Sequence, residues 1–268
     1  MSQTFLEMIT AKKRSEAERL RSTIDVSDLK RRALAVRADS GPHRFLEALS
    51  REDRSNIIAE IKRASPSKGI INDDIDVTQL ARDYEAGGAA AISVLTESEY
   101  FRGSLDDLAA VHTAVDVPIL RKDFIVDEIQ INEAALAGAD AVLLIVAALG
   151  ASELRSLRKL AEDELDMDVL IEVHTLDELN TAENAGATII GVNNRNLHSL
   201  DVSLDVSRSL IGYKPPGSIM IAESGISSYD EIQELRDLGF GGFLIGEAFM
   251  KSEDPTKALR ALRANHNR

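Results

Sequence analysis

The stretch YEAGGAAAISVL, Tyr84–Leu95, reads as the end of a helix, a glycine stop and then an apolar strand. The same order recurs in three further segments, ALAGADAVLLIV from Ala135, ENAGATIIGV from Glu183 and RDLGFGGFLIG from Arg236. Glycine just past a helix end adopts the left-handed conformation that other residues avoid. Repeated helix-to-strand units of this kind predict alternating α-helices and β-strands around a parallel sheet.

Eight apolar runs bounded by turn signals predict eight strands with helical stretches between them. The strands are expected to begin near Ile57, Ala91, Val117, Ala141, Val169, Ile189, Ile219 and Gly242. The expected helices include Val77–Ala86, Ser104–Ala114, Glu128–Ala137, Ser152–Glu164, Leu176–Ala185 and Tyr229–Leu238. This number of units matches an α/β fold of the (β/α)8 TIM-barrel type. A doubly wound open sheet is the alternative, disfavoured because no early strand runs into a GxGxxG turn.

About 55 residues precede the first predicted strand, and their apolar spacing indicates two or three short amphipathic helices. The pattern leaves two placements open, a flap over the barrel mouth or a plug under the barrel floor. No linker or low-complexity tract separates this segment from the rest. We therefore expect a single domain over residues 1–268, with a helical N-terminal extension over 1–55 and the barrel over 56–268.

Composition excludes several classes of partner. The formal net charge of −14 argues against nucleic acid and anionic membrane surfaces. No stretch approaches the roughly 18 apolar residues of a membrane helix, and no signal-peptide pattern opens the chain. There is no cysteine and no HxH or HExxH pair, so no metal site is expected. A cytoplasmic monomer is the simplest expectation.

Charged and amide side chains stand at the downstream ends of five predicted strands. They are Glu60 and Lys62, Lys122, Glu172, Asn193 and Arg195, and Glu223. Alternation along each strand places them on one face, and an unpaired charge buried there would cost on the order of several kcal/mol. An active site at the mouth of the barrel explains their convergence, because a general acid and base must lie within hydrogen-bond reach. A buried ion-pair network that stabilises the fold is the alternative.

Two glycine-containing segments, Glu223–Ile226 and Gly242–Met250, predict an anion site. A glycine that ends the last strand before a short helix presents backbone N–H groups, and barrels commonly hold phosphate with the loops after strands seven and eight. Gly225, Gly246 and the amide of Glu247 are the candidates, provided that the Glu247 side chain turns away. His174 shares a strand face with Glu172 and is interpreted as packing behind it.

Six segments then resemble the indole-3-glycerol-phosphate synthase family. They are AEIKRASPSKG (Ala59–Gly69), LTESEYFRGS (Leu95–Ser104), LRKDFIVDEIQI (Leu120–Ile131), LIEVHT (Leu170–Thr175), GVNNRNL (Gly191–Leu197) and IAESGI (Ile221–Ile226). The likeness runs in order from about Ile57 to Met250 and so covers the whole predicted barrel. Two positions depart from the family pattern, Asn196 for an aspartate found in many members and Glu247 for a serine found in some.

The resemblance implies tryptophan biosynthesis, in which 1-(o-carboxyphenylamino)-1-deoxyribulose 5-phosphate closes to an indole ring with loss of CO2 and water. It implies Lys122 as the general acid and Glu172 as the base, with Glu60 and Lys62 assisting the departure of the hydroxyl. The implied substrate-binding residues are Ser65, Phe101, Leu143, Asn193, Arg195, Glu223 and Ser224. The implied phosphate-binding residues are Gly225, Gly246 and Glu247, and no metal or organic cofactor is required.

Two other functions stay open at this stage. A barrel of the phosphoribosylanthranilate isomerase type usually works with a cysteine–aspartate pair, and this chain has no cysteine. A catalytically silent barrel that only binds a sugar phosphate could dispense with the lysine and glutamate set, which this chain retains.

Overall fold

The computed structural model describes residues 4–197 and 199–263, and it contains a closed barrel of eight parallel strands. The strands are β1 (Ile57–Ile61), β2 (Ala64–Ser65), β3 (Gly69–Ile70), β4 (Ala91–Leu95), β5 (Ile119–Lys122), β6 (Ala141–Ile145), β7 (Asp168–Val173), β8 (Ile189–Asn193), β9 (Ile219–Glu223) and β10 (Gly242–Ile245). Strands β2 and β3 form a separate antiparallel hairpin, and the other eight close in the order β1-β10-β9-β8-β7-β6-β5-β4. The predicted barrel is confirmed, and the doubly wound alternative is wrong.

Helices lie between the barrel strands. They are α1 (Phe5–Arg21), α2 (Val26–Ala38), α3 (Arg44–Leu49), α4 (Val77–Gly87), α5 (Leu105–Ala114), α6 (Glu128–Leu136), α7 (Ala151–Lys159), α8 (Leu176–Asn184), α9 (Asp205–Leu210), α10 (Tyr229–Leu238), α11 (Glu247–Met250) and α12 (Pro255–Arg263). Short 3-10 turns cover Val146–Ala148 and Ile211–Tyr213, and a π-helical turn, Leu160–Glu164, continues α7. Helices α9 and α12 were not predicted, and the single helix expected over Ser152–Glu164 changes to π geometry after Lys159.

Four glycines end helices as the repeated segments predicted. Gly88, Gly138, Gly186 and Gly239 have φ values of 89°, 88°, 84° and 115°. Each therefore lies in the left-handed region, where a side chain would be strained. Three residues after each of these glycines the next strand begins, so the glycine sets the direction in which the chain enters the barrel.

The barrel interior is filled from the floor upward by aliphatic side chains. Ile58, Leu120, Leu170, Ile221 and Leu244 belong to one buried cluster that is separate from the larger cluster between strands and helices. The strand alternation that predicted an inward-facing set is confirmed, because the interior aliphatics lie two residues before the charged strand ends. Because these aliphatic side chains fill the lower part of the barrel, the polar residues lie at its carboxyl end.

The N-terminal extension occupies both positions that the sequence left open, each with a different helix. At the floor, Phe45 and Leu49 of α3 are fully buried in the interior cluster, and the carboxylate of Asp168 accepts a hydrogen bond of 2.8 Å from the Leu46 amide. At the mouth, the Phe5 ring of α1 makes edge contacts with Phe124 at 6.0 Å between ring centroids. The extension therefore packs against both ends of the barrel.

Within the described residues, none of the helices is long and apolar enough to cross a membrane.

We expect Leu49→Ala to lower the free energy of unfolding by about 2–5 kcal/mol, because the side chain is fully buried and its loss leaves a cavity under the barrel. Leu34→Ala is the matched control, since Leu34 lies in the same extension but is 39% exposed, and its effect should stay within about 0.5 kcal/mol. Urea unfolding followed by circular dichroism measures both. Equal effects of the two substitutions would contradict the assignment of α3 as the floor of the barrel.

Candidate active site

The centre of the barrel mouth is an ammonium shared by two carboxylates. Lys122, at the end of β5, places Nζ 3.4 Å from Oε2 of Glu172 and 3.5 Å from Oε2 of Glu223. These carboxylates end β7 and β9, so three strands that are distant in sequence meet at one point. A second ion pair joins Lys62 to Glu60 beside them. The predicted convergence of strand ends is therefore found.

The two carboxylates differ in protonation although they share one cation. Burial acts to raise the pKa of Glu172, but Lys122 and His174 outweigh burial and lower that pKa to about 2. Burial raises the pKa of Glu223 to about 8, and the negative charge of nearby Glu172 adds to the rise. Burial disfavours the charged form of Lys122, yet the surrounding carboxylates, Glu223 and Glu172 first, raise its pKa above the ordinary value. Near neutral pH the Lys122 ammonium therefore lies between an ionised Glu172 and a protonated Glu223.

Glycines make room for these carboxylates. A Cβ atom on Gly191 of β8 would overlap Oε1 of Glu223. A Cβ atom on Gly246 would lie 2.6 Å from Oε1 of Glu60. Both contacts are closer than carbon and oxygen tolerate, so glycine at these positions is what lets the carboxylates lie against the barrel wall.

Aromatic and aliphatic side chains form one wall of the pocket. The ring centroids of Phe101 and Phe124 lie 6.2 Å apart, and Leu143 lines the same pocket from β6. The loop that carries Phe101 is held by the buried carboxylate of Glu97, which accepts hydrogen bonds from the backbone amides of Tyr100 at 2.7 Å and Phe101 at 3.1 Å. The buried Glu97 carboxylate therefore holds the loop that contributes Phe101 to this wall.

The predicted anion loop follows β9 with two successive residues in the left-handed region, Ser224 with φ 67° and Gly225 with φ 82°. The buried side chain of Asn194 donates to the carbonyl oxygens of Glu223 at 3.0 Å and Ser224 at 3.1 Å, which holds this turn. The turn therefore keeps its strained backbone because a neighbouring strand end supports it.

The Glu247 carboxylate turns towards two lysines, pairing with Lys251 directly after the end of α11 and lying 3.8 Å from Lys68. Hydrogen bonding to Lys251 is the main cause that lowers the pKa of Glu247. Its backbone amide is carried at the start of α11, next to Gly246. The Glu247 carboxylate is therefore paired with lysines, which is compatible with the predicted role of its backbone amide as an anion donor.

All of the site residues predicted from the sequence line one pocket. They are Glu60, Lys62, Ser65, Phe101, Lys122, Leu143, Glu172, Asn193, Arg195, Glu223, Ser224, Gly225, Gly246 and Glu247. Sequence reasoning missed other lining residues, among them Phe5, Leu6, Lys68 and Phe124. Phe124 stands within the LRKDF segment and could have been found there. Phe5 and Leu6 belong to α1, and nothing in their local pattern separates a residue at the mouth from an ordinary apolar helix face.

In the described part of the chain, no three histidine, aspartate or glutamate side chains are grouped in a way that could hold a metal ion.

Comparisons with known proteins agree on one family. A family model described as indole-3-glycerol phosphate synthase matches residues 6–262. The indole-3-glycerol phosphate synthase of Carboxydothermus hydrogenoformans is 44% identical, covering 97% of this chain and 100% of its own. The enzyme of the same name from Chlorobium luteolum is 47% identical, covering 94% of this chain and 95% of its own.

Solved structures that are similar at lower identity support the fold alone. KGPDC from Streptococcus mutans aligns with a TM-score of 0.61 at 16% identity, covering 78% of this chain and 95% of its own. Thiamine phosphate pyrophosphorylase from Pyrococcus furiosus aligns with a TM-score of 0.59 at 20% identity, covering 78% and 93%.

Replacing Gly191 by alanine should displace the Glu223 carboxylate and destabilise the protein by about 1–3 kcal/mol, because the added methyl group overlaps Oε1. This reverses the usual sign, since alanine in place of a strand glycine normally stabilises. Gly212→Ala is the control, because a Cβ atom there meets nothing within 4 Å. Chemical denaturation compares the two variants, and a Gly191→Ala protein as stable as Gly212→Ala would show that Glu223 does not depend on this space.

Proposed function

The chain belongs to the indole-3-glycerol phosphate synthase family, and we propose that the pocket at its barrel mouth is the catalytic centre for that reaction. The enzyme converts 1-(o-carboxyphenylamino)-1-deoxyribulose 5-phosphate to indole-3-glycerol phosphate in tryptophan biosynthesis, with loss of CO2 and water. The observation that carries the assignment of the centre is the Lys122 ammonium, which lies within 3.4 Å of Glu172 and 3.5 Å of Glu223 from two other strands. Such a set can give and take protons at neighbouring atoms of one substrate.

Ring closure needs a proton at the C2′ carbonyl oxygen while the anthranilate ring carbon attacks C2′. We assign this proton to Lys122, whose raised pKa keeps the ammonium charged near neutral pH. An alkoxide is a stronger base than an amine, so the proton still moves towards the developing oxyanion. The flanking carboxylates position the donor because they hold Nζ from two sides.

Dehydration then needs a base for the ring-side proton and an acid for the departing hydroxyl. Glu172 is ionised and is assigned as the base. Glu60 and Lys62 are paired beside it, and they are assigned to assist the departure of the hydroxyl. Decarboxylation removes the anthranilate carboxylate between these proton transfers, and aromaticity is restored when water has left.

The remaining side chains divide between the two ends of the substrate. Phe101 and Leu143 provide the apolar wall for the anthranilate ring. Asn193 and Glu223 are assigned to the sugar hydroxyls, which suits Glu223 because its protonated form can donate a hydrogen bond. Its Oε1 atom is buried and has no hydrogen-bond partner among the described residues, so it is available to the substrate.

The charged ends of the substrate have their own set of binding residues. Lys62, Ser65 and Arg195 are assigned to the carboxylate and phosphate ends. Ser224, Gly225, Gly246 and Glu247 are assigned to the phosphate, the last through its backbone amide.

We also propose that residues 1–268 form a single domain with an extension over 1–55 and a barrel over 56–268. The burial of Phe45 and Leu49 in the interior cluster supports a single domain, because residues of the extension complete the core of the barrel. Monomeric state, cytoplasmic location and the lack of a nucleic-acid partner stay predictions.

Lys122→Met should lower kcat by about 10²–10⁴-fold while the protein stays folded, because the substitution keeps the length of the side chain and removes its proton. Lys257→Met is the control, since the Lys257 side chain is 83% exposed on α12, and its kcat should be unchanged. Indole fluorescence on mixing enzyme with the carboxyphenylamino substrate follows the reaction. Unchanged turnover in Lys122→Met would refute the assignment, and no turnover in the unsubstituted protein would favour a silent sugar-phosphate-binding barrel.

A further inference from the structure

His174 connects the proposed base to a second carboxylate outside the pocket. Its Nε2 atom lies 3.3 Å from Oε1 of Glu172, and its Nδ1 atom lies 3.1 Å from Oε2 of Glu178. The His174 side chain is 11% exposed, and its Nε2 atom is buried. Since Oε2 of Glu172 faces Lys122, the imidazole and the ammonium contact opposite oxygens of one carboxylate.

Glu178 is held in place by the start of helix α8. Thr175 caps that helix, and its hydroxyl accepts a hydrogen bond of 3.2 Å from the Glu178 amide. The Glu178 carboxylate then accepts a 2.7 Å hydrogen bond from the His174 amide, through the same oxygen that lies near the ring. The ring is therefore fixed at one end by a capped helix.

Other helices of this barrel show that capping alone does not need a histidine. Glu153 of α7 accepts from the Gly150 amide, and Glu231 of α10 accepts from the Ser227 and Ser228 amides, at the third position of each helix. Glu178 makes the same kind of backbone contact and also contacts the His174 ring, which lies 3.3 Å from Glu172. Capping of the helix does not by itself explain this additional contact with the histidine ring.

We infer that His174 is a positioning residue for the reaction. Glu178 holds the His174 ring in place, and the ring keeps Glu172 ionised and holds its Oε1 atom. The inference rests on the proposed role of Glu172 as the base. The imidazolium contacts Oε1, which leaves Oε2 to face Lys122 and the substrate. The negative charges of Glu172 and Glu178 stabilise the charged ring, and the ring in turn stabilises Glu172 in a buried place.

The charges around the ring support this assignment. Burial acts to lower the pKa of His174, but the nearby carboxylates of Glu172 and Glu178 outweigh burial and raise that pKa to about 10. Lys122 acts on Glu172 from β5 and Glu223 interacts with it from β9, while Glu60 of β1 acts on both Lys122 and Glu223. Lys122 lies 3.4 Å from one oxygen of Glu172 and also 3.5 Å from Glu223, whereas the imidazole lies 3.3 Å from the other oxygen of Glu172.

We expect His174→Leu to lower kcat at least about tenfold near pH 4 with little change in KM, because Glu172 is then protonated while the substrate contacts remain. Without the cation the pKa of Glu172 should rise by about one to three units from its value of about 2. The loss of kcat should therefore be small at pH 7 and deepen as the pH falls to 4. His174→Gln keeps an N–H donor without the charge, so it should recover most of kcat at pH 7 but less at pH 4.

Glu178→Gln removes the brace while it keeps an oxygen for the His174 amide, so a smaller pH-dependent loss of the same sign is expected. His43→Gln is the matched control, because His43 also pairs with a carboxylate, Asp168 at 3.0 Å, but at the barrel floor. It should leave the pH profile of kcat unchanged.

The outcomes separate this inference from the proposed function. If Glu172→Gln retains activity, the assignment of the base fails, whatever the histidine variants do. If Glu172→Gln is inactive but the histidine variants keep kcat, or lose it equally at every pH in step with melting temperature, the positioning role of His174 is wrong. His174→Gln and Glu178→Gln keep the test decisive if His174→Leu does not fold.

Discussion

The attraction between one buried ammonium and the carboxylates around it is the interaction on which the site depends. Lys122, Glu172 and Glu223 end strands β5, β7 and β9, and none of these charges would tolerate burial alone. The ammonium allows one carboxylate to stay ionised, and burial keeps a proton on the other. The closed barrel is what makes this possible, because only a closed sheet brings the ends of these strands around one small volume.

The second constraint is the space that the carboxylates need, and small residues beside them provide it. Gly191 and Gly246 are needed where carboxylates of neighbouring strands lie against the backbone. Strand interiors normally favour β-branched side chains, so glycine at position 191 inside β8 costs local stability. The barrel interior below, filled by residues such as Ile58 and Leu170, supplies the packing that offsets this cost.

Much of this arrangement was predictable because it follows from local periodicity. Helix-ending glycines and strand alternation are local properties, and they were sufficient to predict eight strands, the inward face and the charges that meet at the mouth. Asn194 shows what local reasoning cannot reach. Strand alternation places it on the face opposite to Asn193, but nothing local predicts that its side chain supports the turn after β9, 29 residues further along the chain. The placement of Phe5 on the pocket likewise depends on how α1 crosses the mouth.

The N-terminal extension is joined to the catalytic strand by a buried contact that explains why it packs at the mouth. Lys13 of α1 pairs at 2.8 Å with Asp123, the residue directly after Lys122, and both side chains are nearly excluded from solvent. Asp123 also accepts from Thr96 at 2.7 Å and pairs with Arg121 at 3.1 Å, so the end of β5 is tied to the end of β4 and to α1 together. Burial acts to raise the pKa of Asp123, but Arg121 and Lys13 outweigh burial and lower it. Because a buried carboxylate that loses one partner is destabilised, helix α1 and the strand that presents Lys122 stabilise each other. The extension therefore closes the floor with α3 and fixes the mouth with α1, and the geometry of the ammonium depends on both.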